Sequence, residues 1–233
     1  MAVTADKIIS NASLCGIEVG MEKAELLSRY SNAVLEQNRF FNLTGITEEN
    51  EFVTRHITDS LVCAMRPEVT GKVADVGTGA GFPGAVIGIL KDEVSITLIE
   101  ATGKKLSFAS GMLDEMGIRC TAMHSRAEDA AKTMPGISFD CVTARGLAVL
   151  PAAMEYCLPL VKTGGYFIAM KNSGSYIRER SGRAEKLLGT GRPQVIQYTL
   201  PDGAEHELII FKKLRQCSPG YPRRSDRIRK DPL

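Results

Sequence analysis

The stretch VADVGTGAGFPG, residues 73–84, decides the fold. A short β-branched run closes on an acid, Asp75, and four glycines follow at 77, 79, 81 and 84. Such a turn leads from a strand into a helix and lets a ligand approach bare backbone. Downstream the same rhythm repeats. KVADV (72–76), VSITLIE (94–100), CTAMH (120–124), FDCVTA (139–144) and GYFIAMK (165–171) read as strands. Helical patterns follow them, beginning near Pro83, over 104–116, briefly after 124, over 149–158 and over 175–188. Five β-α units in a row predict a parallel sheet with helices on both faces. QVIQYTL and HELIIFKK then stand only PDGAE apart, too short a link for a crossover helix, so they pair as an antiparallel hairpin. The expected fold class is therefore α/β: a doubly wound, mostly parallel, seven-stranded Rossmann-like sheet with its last strand antiparallel, the outline of class I S-adenosylmethionine-dependent methyltransferases.

Upstream of the glycines the chain reads as all-helical, over 3–17 and 23–41, then, after the NLTGIT break, from an N-cap at Thr47 to just before Pro67. The expected organisation is an N-terminal helical region (1–70), a methyltransferase core (71–215) and a basic tail (216–233). From Lys212 onward eight Lys or Arg face two Asp, a charge of +6, while the preceding 211 residues carry −4. A basic tail on a mildly acidic body suggests a polyanionic partner. No run of 18 apolar residues and no charged-then-apolar N-terminal segment is present, so the expectation is a cytoplasmic protein without a membrane partner. Six cysteines (15, 63, 120, 141, 157, 217) lack metal-ligand spacing, three histidines lie far apart, and no metal is expected.

The turn admits two readings. Gly79-Ala80-Gly81-Phe82-Pro83-Gly84 formally fits the GxGxxG dinucleotide fingerprint. Asp75-x-Gly77-x-Gly79-x-Gly81 instead places a carboxylate where a pyrophosphate would be repelled but a sulfonium and an ammonium would be welcome. Phe82 and Pro83 further spoil a run of free N–H groups, favouring S-adenosylmethionine. Glu100, closing the second strand, suits a ribose diol. The loop around Ala127 and Glu128 suits an adenine, although Glu128 and Asp129 would also serve as a helix N-terminal acid pair. Arg145 ends the fourth strand at the edge where a substrate enters, as a cation for cofactor carboxylate or nucleic acid.

These residues, with NLTGIT (42–47), RHITDSL (55–61), SRAEDA (125–130), TARGLAVLP (143–151), LPLVKTGGYFIAMK (158–171) and YPRR…KDPL (221–233), closely resemble the ribosomal RNA small-subunit methyltransferase G family, also called glucose-inhibited division protein B. Asp226, Ile228 and Asn172 depart from the family's pattern. The resemblance implies methylation of N7 of one guanine in 16S rRNA near the decoding site. It implies cofactor contacts at Gly77, Phe82, Ala127, Glu128 and Arg145, beside Asp75 and Gly79 read from the turn and Glu100 from the end of the second strand. Arg145 is the residue expected at the reaction itself; Lys171, Arg223, Arg224 and Lys230 are expected on RNA. The partner would be 16S rRNA or the small subunit, with no obligate protein partner. Guanine N7 already has an in-plane lone pair, so no general base is needed. No (D/N)PP(F/Y/W) loop and no Pro-Cys pair signals amine or pyrimidine-carbon methylation. His56 and Asp59 border the expected cleft without an assigned catalytic role. The alternatives are a small-molecule methyltransferase and a non-catalytic RNA-binding module.

Overall fold

Alternation of period two along the strands sends successive side chains to opposite sheet faces, and that sorting builds two cores. In the computed structural model, which describes residues 2–133 and 139–233, seven strands form one sheet in the order β3-β2-β1-β4-β5-β7-β6. They are β1 (Lys72–Val76), β2 (Ser95–Glu100), β3 (Cys120–His124), β4 (Phe139–Arg145), β5 (Val161–Asn172), β6 (Gln194–Thr199) and β7 (Glu205–Lys212). The first five run parallel; β7 pairs antiparallel with both β5 and β6. The expected topology is the observed one; residues 134–138 of the expected core lie outside the described residues.

Val73, Ile96, Leu98, Cys141, Ile168, Leu208 and Ile210 point to one face. There they pack with α1 (Ala5–Leu14), α2 (Met21–Gln37), α4 (Asp59–Ala64), α5 (Gly84–Leu90) and α6 (Gly103–Glu115). Ala74, Val76, Ile99, Val142, Phe167, Ile209 and Phe211 point to the other. That face meets α7 (Ala127–Thr133), α8 (Leu150–Cys157), α10 (Gly182–Leu188) and α11 (Ser225–Lys230). The N-terminal helices thus share a core with the sheet. The basic tail does too: Ile228 and Leu233 are buried in the second core, so this segment is folded against the body.

Two helical expectations need correction. The helix expected from Thr47 is capped instead by Glu48, whose carboxylate accepts from Glu51 N–H, and it is not uniform. A short α3 (Glu49–Phe52) widens into a π turn over Val53–Thr58 before α4 resumes. Asp59 N–H reaches back to Thr54 C=O there, the five-residue step of a widened turn. The helix expected over 175–188 is two: α9 (Ser175–Glu179) ends at Arg180, held at φ 41°, and α10 follows.

Candidate active site

The N–H groups of the glycine turn bond within the protein, partly to the turn and partly to the end of β2. N–H groups of Gly77 and Thr78 go to Ile99 C=O, those of Gly81 and Phe82 to Thr78 C=O, that of Gly79 to Glu100 and that of Gly84 to Asp75. Pro83 has none. A phosphate cradle needs N–H groups free to point at an anion; here six are consumed internally, and the dinucleotide reading falls on that ground. Gly81 has no room for a side chain: a Cβ would lie 2.1 Å from Tyr30 Oη, which donates to Ala80 C=O from α2.

Asp75 corrects the expectation of a ligand-facing acid. It is fully buried, accepting from Gly84 N–H (2.9 Å) and Thr143 Oγ1 (2.9 Å). Burial raises its pKa, with those hydrogen bonds partly offsetting the rise. It shapes the turn from beneath. Phe82 is likewise buried, its ring edge-on to Tyr30 and Phe52 and stacked on His56 at 4.8 Å. Gly79 acts through Glu100.

A cleft of about 330 Å³ opens at the carboxyl edge of β1 and β2, where the strand order reverses between β1 and β4, the place where ligands bind in doubly wound sheets. Gly77, Glu100, Ala127 and Glu128 line it, as the sequence predicts, together with Leu147 and, from α11, Arg229. Glu100 accepts from Gly79 N–H (3.0 Å) and Thr102 N–H (2.8 Å), one on each oxygen. A carboxylate has about four acceptor sites, so capacity remains for a diol. Gly77 sits at φ 70°, the left-handed region that favours glycine, and a Cβ there would also press on Leu147 Cδ1 at 2.7 Å.

A second cleft, of about 290 Å³, adjoins the first at Gly146 and is lined by Asp59, Arg145, Lys171, Asn172, Glu179 and His206 among others. Its assembly follows from topology. β4 and β5 end at the carboxyl edge, and because β7 runs the other way its beginning arrives there too, with Asn172 opposite His206. The π turn and the first residue of α4 supply the rest: Arg145 donates to Arg55 C=O (2.7 Å), Asp59 Oδ2 (3.0 Å) and His56 Nδ1 (2.8 Å). Since a guanidinium only donates, Nδ1 of His56 is bare. Its Nε2–H then donates to Thr44 Oγ1 (2.7 Å), in the NLTGIT loop. Burial and then the Arg145 charge push the His56 pKa down to about 3, so the ring is neutral at neutral pH. Asp59 also accepts from Tyr198 Oη (2.8 Å) and His206 Nδ1 (2.9 Å). Burial alone would raise its pKa; the hydrogen bond from His206, the Arg145 charge and the Tyr198 hydroxyl outweigh burial and hold it below the ordinary carboxylate value.

Arg145 therefore lines the second cleft and not the first, with its charge matched by Asp59. The free cation expected there for a cofactor carboxylate or nucleic acid is not what this geometry offers. Two expected RNA cations are also tied down. Lys171 donates to Ala148 C=O (2.7 Å) and Glu179 (2.9 Å), and Arg223 forks onto fully buried Glu155. Arg224 and Lys230 do face solvent. Sequence reading missed Thr44, Tyr198, Glu179 and His206, whose partners lie far away along the chain or across a turn. Glu155, a lone acid inside LPAAMEYC, was a legible sign of a buried cation partner.

Residues 23–197 match the family described as rRNA small subunit methyltransferase G. The ribosomal RNA small subunit methyltransferase G of Desulfitobacterium hafniense (strain Y51) is 40% identical over 225 residues, 93% of this chain and 92% of that one. Its namesake from Clostridium botulinum (strain Eklund 17B) is 34% identical over 236 residues, 98% of each chain. In structure the chain is similar to an O-methyltransferase from Bacillus cereus in complex with SAH, at TM-score 0.56 and 15% identity over 79% of this chain and 90% of that one. It is also similar to a SAM-dependent O-methyltransferase from Thermotoga maritima, at TM-score 0.52 and 16% identity over 78% of this chain and 72% of that one. These likenesses show the class I methyltransferase fold. With the sequence matches spanning nearly its full length, the chain belongs to the rRNA small subunit methyltransferase G family.

Proposed function

We propose that this chain uses S-adenosylmethionine to methylate N7 of a guanine in 16S rRNA near the decoding site. The observation that carries the reading is the pair of clefts meeting at Gly146: one fits a nucleoside, the other is polar and open to a larger substrate. In the first, Glu100 would take the ribose, the Ala127–Glu128 segment the adenine, and the glycine wall at Gly77 the amino-acid arm. When bound, the cofactor supplies a methyl group on a cationic sulfur, and the bond electrons return to sulfur as N7 takes the methyl. The chain's own work is alignment, since N7 has its lone pair ready and no proton must be removed. Arg145, fixed by Asp59, His56 and Arg55, acts by position at the junction of the clefts. Asp59 and Glu179 also suit a base that becomes cationic. The exposed cations Arg224 and Lys230 would meet phosphates, and an rRNA substrate puts the work in the cytoplasm.

The test is incubation with labelled S-adenosylmethionine and unmethylated small subunits or their rRNA. Label should enter 16S rRNA at a single guanine, detected as a strand-scission site after borohydride and aniline. Label found only in small metabolites would mark a small-molecule methyltransferase; no cofactor binding would mark an RNA-binding module.

A further inference from the structure

We propose that the second cleft seats the target guanine and that the Lys171–Glu179 pair reads its identity, a proposal that rests on the function just given. The two clefts adjoin at Gly146, so a purine in the second can direct N7 at a methyl group held in the first. That orientation puts O6 beside N7 and turns the neighbouring edge, N1–H and the N2 amine, toward the far side of the cleft. Guanine then asks for a donor next to an acceptor. Lys171 and Glu179 supply such a donor and acceptor side by side. The ammonium spends protons on Ala148 C=O (2.7 Å) and the Glu179 carboxylate (2.9 Å), and has three to give. Glu179 Oε2 also accepts from Leu150 N–H, while among the described residues Oε1 accepts only the longer contact from Lys171 (3.2 Å). Both side chains line the cleft and are largely shielded, at 15% and 22% exposure. Bonds to charged groups in such a place are short and strong. Adenine reverses the pattern: its 6-amino group would meet the ammonium, and its N1 lone pair the carboxylate. The pair therefore selects guanine by complementarity and rejects adenine by two like-against-like contacts.

β5 and α9 deliver the pair together. Lys171 is the penultimate residue of β5, and the break at Arg180 stops α9 right after Glu179. Leu150 N–H, at the start of α8, fixes the carboxylate from the other side.

The experiment compares small subunits carrying guanosine or inosine at the mapped position, inosine lacking only the N2 amine. With the wild-type protein, kcat/KM should fall about ten- to a hundredfold on inosine, the equivalent of one hydrogen bond to a charged acceptor. E179Q, which keeps an oxygen for Leu150 N–H, should lose a comparable factor on guanosine and treat the two bases within about twofold. Its affinity for S-adenosylmethionine should stay at the wild-type value, since Glu179 does not line the first cleft. Equal wild-type rates on guanosine and inosine would overturn the proposal, and need no variant to be measured. So would an E179Q protein that keeps the wild-type preference. Failure of the wild-type protein to methylate guanosine at all would instead bring down the function on which the proposal stands.

Discussion

Asp59 holds groups from three elements: Arg145 at the end of β4, Tyr198 in β6 and His206 in β7. Asp59→Asn leaves the Arg145 charge without its partner. Because Arg145 keeps 18% of its side chain exposed, the expected loss is about 3 kcal/mol, the low end for breaking a buried pair, read from urea unfolding. Activity should fall further than cofactor affinity, since Arg145 lines the second cleft. The pH dependence has a defined sign. Asp59 is lowered in the folded protein, so its contribution is complete above the ordinary carboxylate range and disappears as pH falls through the folded value. His56 is lowered from 6.5 to about 3, so its contribution is complete above pH 6.5 and is lost between there and about pH 3. His56→Gln removes that term. The stability advantage of wild type over this variant should shrink on acidification from pH 7.5 to 4.5, at no more than about 1.4 kcal/mol per unit. A gap that stays constant across urea titrations at three pH values would count against a buried neutral His56.

Helix α2 and the glycine turn are coupled by one hydroxyl. Tyr30→Phe leaves Ala80 C=O without its donor and should cost about 1–3 kcal/mol. Gly81→Ala, at φ 95° and against the same hydroxyl, should cost more than about 1 kcal/mol. The double variant should cost less than the two single losses combined, by about 0.5–3 kcal/mol, because removing the hydroxyl removes the collision. The tail element offers a second contrast. Arg223→Ala strands the Glu155 carboxylate at zero exposure and should destabilise by about 3–5 kcal/mol. Arg224→Ala, at an 84% exposed site, should stay within about 0.5 kcal/mol. Thermal melts of both separate a structural arginine from a solvent-facing one. What was legible in the sequence divides along the same line. Strands, their parallel or antiparallel sense and the hairpin rest on local periodicity and on loop length, which a sequence displays. The π turn, the break at Arg180 and the roles of Lys171 and Arg223 depend on partners the chain brings together only by folding. An arginine-rich tail reads as solvated until Ile228 and Leu233 are seen in the core. At the first cleft Gly77, Glu100, Ala127 and Glu128 stand where a strand-end rule puts them. Asp75 does not, since the same rule is silent on whether an acid faces out or under.

Across the whole molecule charge is lopsided, +6 over the last 22 residues against −4 over the rest. Arg224, Arg227, Arg229 and Lys230 remain exposed on or beside α11, and of these Arg229 lines the first cleft. RNA binding should weaken by about 0.9 log units per log unit of salt for each duplex phosphate neutralised. The double change Arg224→Ala with Lys230→Ala should reduce that slope by about two and leave cofactor affinity alone. Filter binding between 50 and 300 mM salt, a range of about sixfold, is wide enough to read it; an unchanged slope would remove the tail from the interface. The placement of β7 has a consequence in time as well as space. All five parallel strands are complete by Asn172, but β5 keeps an open edge until β7 arrives, and His206 comes 34 residues later. At about 5–20 residues per second, translation takes about two to seven seconds to cover that interval. Throughout it, the nascent protein carries an unpaired strand edge, a known liability for pairing with a neighbouring chain. The strand ends around the cofactor cleft exist before the acceptor cleft does, so an enzyme proposed to act on ribosomes is still unable to act while a ribosome is making it.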